Sequence, residues 1–71
     1  MSELKLVGWN KGVQTVSLIR VISEHSGASL VESKSLVDGL LSGSGVTVYF
    51  PDNERMDRFR NLATSLGAIC E

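Results

Sequence analysis

Cys70 and His25 are the residues whose types could form a nucleophile and its base, and the chain holds one cysteine and one histidine. Single copies allow neither an internal disulfide nor a Cys/His cluster of metal-ligand spacing. Alternation puts Cys70 on the inner face of a terminal strand, where a thiol behaves as a small apolar side chain, and His25 falls at a helix end. The glycines of Gly8 to Gly12 and of Gly43 to Gly45 suggest phosphate loops. Neither stretch continues into Gly-Lys-Ser/Thr, and no Gly-x-Gly-x-x-Gly opens a helix, so both read as turns. Asp52, Glu54 and Asp57 interleave with Arg55, Arg58 and Arg60, where the acids suit the start of a helix and the whole reads as a solvated face. Weak RNA binding through the basic face of Arg55, Arg58 and Arg60 is the second functional reading; against it, the interleaved acids cancel the field and the stacking aromatics are few, Trp9 and Tyr49. No catalytic residue, metal site or cofactor is expected.

The elements that position these residues must fit in 71 residues, enough for one core and one domain, 1–71. The hydrophobic share of 42% against 21% charged is that of a folded domain rather than a disordered tail. The net charge of −1 supplies no general attraction to nucleic acid or anionic lipid. Charge interrupts every apolar run well short of the ~20 residues of a membrane span, and MSELKL lacks a signal-peptide core. A cytoplasmic protein with no membrane partner is expected.

Glu3 to Val7 alternates as a half-buried strand, and Gly8 to Gly12 breaks it. A first helix is expected from Val13 to about His25, ended by Ser26-Gly27-Ala28. Ser29 and Glu32 form a capping box for a second helix, Leu30 to about Leu41, with Leu30, Val37, Leu40 and Leu41 as core and Ser33 permitting close approach of another helix. Ser42 to Gly45 is a turn, and Val46 to Phe50 is a strand stopped by Pro51. Asp52 caps a third helix with Met56, Phe59, Leu62, Ala63 and Leu66 on its inner face; Gly67 is its C′ residue, and Ala68 to Glu71 is a last strand. The strands sort into a core face of Leu4, Leu6, Val46, Val48, Phe50, Ala68 and Cys70 and a mixed face of Lys5, Thr47, Tyr49 and Glu71. The fold expected is α+β, a two-layer β-α-α-β-α-β domain with three helices on one face of a three-stranded sheet.

The first helix is apolar on two sides. Leu18, Val21, Ile22 and His25 share one face, and Val13, Val16 and Ile19 another. Val16 and Ile19 are expected to be accessible, beside Arg20 and Lys34, with Leu18, Val21 and Ile22 buried.

Thr15 to Ile22, Ser26-Gly27 and Leu30 to Val37 resemble, without a gap, the C-terminal domain of the acidic bacterial ribosomal stalk protein. Weaker similarity extends to both ends of the chain and implies the same β-α-α-β-α-β fold. That family recruits translational GTPases through its first two helices. The resemblance implies a partner-binding surface of Val16, Ile19, Arg20, Gly27, Glu32 and Lys34. Thr15, Ser23 and Val31 stand where the family is basic. The family's N-terminal dimerisation segment and hinge have no counterpart ahead of the first strand, so a free-standing module is expected rather than a ribosome-tethered one. The Clp-protease adaptor for N-terminal degrons has the same fold. Of its pocket only Asn10 is matched, since Lys11 and Gly12 replace the following acids and the second helix has no His. The function expected is non-catalytic binding of a partner protein through the first two helices.

Overall fold

The computed structural model describes residues 2–71 as β1 (Ser2–Trp9), α1 (Thr15–Ser26), α2 (Leu30–Leu41), β2 (Val46–Phe50), α3 (Asn53–Ser65) and β3 (Ala68–Cys70). The strands form one antiparallel sheet in the order β2-β1-β3. The three helices cover one face, giving the expected α+β architecture.

Leu4 and Leu6 alternate inward from the central strand, beside Val48 and Phe50 of β2 and Ala68 of β3. Above them lie Leu18 and Ile22 of α1, Val37 and Leu40 of α2, and Phe59 and Ala63 of α3, all buried. Each fully buried large side chain contributes ~1.5 to 3 kcal/mol by leaving water. Phe50 and Phe59 tie sheet to helix, their ring centroids 5.1 Å apart and tilted by 39°. Buried Ser33 lets α2 approach its neighbours closely, and its hydroxyl donates to the Ser29 carbonyl at 2.8 Å, so no polar group is stranded there.

Several boundaries and core positions depart from the sequence reading. β1 continues through Gly8 and Trp9, because a register shift between Leu6 and Gly8 lets the strand pair on with Ile69 and Ala68. α1 begins at Thr15 rather than Val13, because the chain ahead of it is held by the turn that follows α3: the Gln14 amide donates to the Leu66 carbonyl at 2.9 Å and the Asn10 amide to the Gly67 carbonyl at 2.7 Å. Leu30, expected in the core, is 60% exposed, since the inner stripe of α2 runs out of neighbours before its first turn. Leu62 is 43% exposed, because it lies about 60° around the helix from Phe59, on the flank of the stripe. Val46 and Cys70 face inward but are only half-buried, being on the outer strands, and Val21 is half-buried as well.

Helix ends follow local chemistry. Ser29 Oγ accepts from the Glu32 amide at 3.1 Å, and the Asp52 carboxylate accepts from the Arg55 amide at 2.8 Å. The reciprocal half of the Ser29–Glu32 box is not made, and the Glu32 carboxylate forms no hydrogen bond or ion pair among the described residues. Gly27 ends α1 with φ of 80°, its amide donating to Ser23.

Candidate functional site

Among the residues expected to bind a partner, Val16 and Arg20 lie one turn apart on the outer surface of α1, where Val16 is 69% exposed. Ile19 differs from expectation: it is half-buried and packs against the core cluster, because α1 packs against both α2 and α3 as well as β2 and uses part of its second apolar stripe for packing. Lys34 is exposed on α2, and neither it nor Arg20 forms an ion pair among the described residues. Gly27 and Glu32 are exposed at the α1–α2 junction.

Gly27 and Glu32 line an open groove of about 650 Å³ that none of Val16, Ile19, Arg20 or Lys34 reaches. The six residues therefore divide into a patch on the helix surface and a groove at the junction. Val31 and Leu36 of α2 and Val46 and Val48 of β2 make the groove apolar, while Thr47 and Tyr49 extend its wall to the other side of the strand. Val31 is 77% exposed, the most accessible large apolar side chain among the described residues. Among the described residues Glu32 is the one charged residue lining the groove. Sequence reasoning missed this feature, although its signal is present: Val46 to Phe50 is a strand with no charge in it, next to a Gly/Ser turn.

The other candidates for chemistry are dispersed. His25 Nδ1 lies 2.9 Å from the Val21 carbonyl, one turn back, in place of a catalytic partner. Cys70 packs against the core as its strand position implies; burial pushes its thiol up from the ordinary value, while the Thr64 side chain and Arg60 oppose the shift. Among the described residues no group of three His, Cys, Asp or Glu side chains could hold a metal. Among the described residues no helix is long and apolar enough to cross a membrane. On α3 every arginine has an acid beside it: Arg55 with Asp52 at 3.8 Å, Arg58 with Glu54 at 2.6 Å and Arg60 with Asp57 at 3.6 Å. Such exposed pairs add little stability, but they replace a cationic field with alternating charge. A smaller cleft of about 270 Å³ brings Lys5 and Arg60 together with Glu3 and Glu71, again mixing signs.

No family model matches the chain, and no curated protein matches it.

Proposed function

We propose that this chain is a cytoplasmic, non-catalytic protein-interaction module that binds a partner protein through α1 and α2. The observation that carries the reading is Val16, a β-branched apolar residue left 69% exposed on the outer surface of α1, one turn from Arg20, which forms no ion pair among the described residues. A large apolar side chain that the core does not use, beside such a cation, is the composition of a contact surface with a polar rim. The resemblance to the ribosomal stalk domain supports the same location and implies a translational GTPase as partner. Thr15, Ser23 and Val31 remove charge from that surface, so the contact made here is mainly apolar. RNA binding by α3 is the weaker reading, because its three arginines are paired with acids.

Affinity capture from a lysate of the source cells tests this, using wild type, Val16→Glu and, as a surface control on another helix, Leu62→Glu. The expected result is a protein held by wild type and by Leu62→Glu and bound about tenfold more weakly by Val16→Glu, the loss of ~1.4 kcal/mol expected of a contact residue. Unfolding midpoints of the variants verify that the fold is intact. Equal retention by all three would reject the surface.

A further inference from the structure

β2 is the outer strand of the sheet and pairs on one side only, with β1. Alternate N–H and C=O groups of such a strand point away from its neighbour and lack a ladder partner. None of the backbone groups of Val46 to Phe50 bonds outside the sheet among the described residues. The strand is regular along its whole register, from Phe50 opposite Ser2 to Val46 opposite Leu6, and no charged side chain guards it. The groove runs along this open edge, since it is lined both by Val46 and Val48, which point to the helices, and by Thr47 and Tyr49, which alternate to the other face. α2 overhangs the same edge through Val31 and Leu36.

We propose that the β2 edge and its groove form a second binding site, which takes an extended segment of a partner protein as a fourth strand. The segment carries alternating apolar residues and a Lys or Arg within reach of Glu32. Main-chain hydrogen bonds to β2 supply the affinity common to any extended chain, and side chains of every second residue enter the apolar groove against Val31 and Val46. Charge selects among occupants. Glu32 is the one charged residue lining the groove, and its carboxylate has no partner among the described residues. A second copy docked edge to edge would bring one acidic groove to another with no lysine or arginine lining either. A basic, alternating strand meets both the apolar wall and the free carboxylate. Gly27, Val31 and Glu32, which the resemblance groups with Val16, belong to this groove, whereas Val16 and Arg20 do not line it, so its failure would leave the reading carried by Val16 standing.

The test is titration of the isotope-labelled chain with a short synthetic peptide in which every second residue is Val, with Lys replacing one of these so that it shares their face and can reach Glu32, and with Thr between them, followed by amide resonances and hydrogen exchange. Comparison peptides carry Glu in place of Lys or N-methyl groups on alternate backbone amides. The expected result is movement of resonances from Val46 to Phe50 and from Val31 and Glu32, with new exchange protection on alternate β2 amides. The N-methylated peptide should bind at least about tenfold more weakly, a single decade being the smallest loss consistent with removed main-chain bonds. The Glu peptide and the Glu32→Gln variant should each weaken binding several-fold. Four results would overturn the proposal: no shifts at ~1 mM peptide, shifts confined to the region of Val16 and Arg20, unchanged affinity of the N-methylated peptide, or protection of β2 that depends on protein concentration with no peptide present. The last would assign the edge to a second copy.

Discussion

The two outer strands of the sheet end in opposite ways. β3 is three residues long and joins β1 across a register shift, and Glu71 follows it, its amide taken by the Lys5 carbonyl at 2.8 Å. The turn leading into β3 is also locked: Gly67 has φ of 102°, and a Cβ on it would come within 2.9 Å of Val13 Cα. β2 is five residues long, regular and uncharged, with an apolar groove beside it. A short, irregular edge flanked by charge offers little to another chain, whereas a straight apolar edge is a template. The contrast teaches that protection of a sheet lies in irregularity and charge more than in burial: Val46 and Cys70, inward-facing residues on the two edges, are both half-buried.

The largest effect should come from the core beneath both edges. Ile22→Ala removes a fully buried side chain and should lower stability by ~2 to 5 kcal/mol, while half-buried Ile19→Ala should lose less than half as much. Denaturant midpoints of the two variants measure the difference, and equal losses would show that α1 buries both stripes alike. Gly67→Ala probes the locked side. Left-handed backbone and contact with the Val13 main chain should together destabilise by ~1 to 3 kcal/mol, read from the shift in thermal midpoint. An unchanged midpoint would mean that this turn yields as easily as the open edge does. Gly39→Ala probes the other side and should be smallest and opposite in sign. Its added Cβ would lie 3.2 Å from Val46 Cγ1, but that side chain borders the groove and has room to move, so improved helix propensity should stabilise by up to ~1 kcal/mol. Destabilisation in urea unfolding would show that Val46 is held as firmly as Val13 and would erase the asymmetry.

How much of this was legible in the sequence varied with the physics that writes it. Alternation in Glu3 to Val7 and Val46 to Phe50, the Ser29 and Asp52 caps and the glycine that closes α1 are local signals, and each marks its element in the structure. The start of α1 was not legible, because Gln14 and Asn10 are held by carbonyls of Leu66 and Gly67, far along the chain. The exposure of Leu30 and Leu62 was hidden for a related reason: periodicity names the apolar side of a helix but not how far along or around it the neighbours extend. Of the candidate surface, Val16 stands out from the sequence as an apolar residue on the side of α1 away from Leu18 and Ile22. The half-burial of Ile19 depends on how α1 packs against the rest of the fold, which spacing does not encode. The groove needs a strand order, and only the placing of β1 between β2 and β3 makes Val46 to Phe50 an edge.

That strand order also sets a sequence of events in time. During synthesis the middle strand emerges ahead of both its partners, so Leu4 and Leu6 have no sheet to join until Val46 to Phe50 and then Ala68 to Cys70 follow. The α1–α2 hairpin is the one pairing made between consecutive elements before then, and it can form from local contacts alone. β1 therefore waits as an unpaired segment until Val46 to Phe50 has been made, and its pairing with the more distant β3 closes the longer loop last. Charge at Glu3 and Lys5, on alternate positions of that waiting strand, disfavours its pairing with a neighbouring nascent chain, a safeguard that the uncharged β2, made later, lacks.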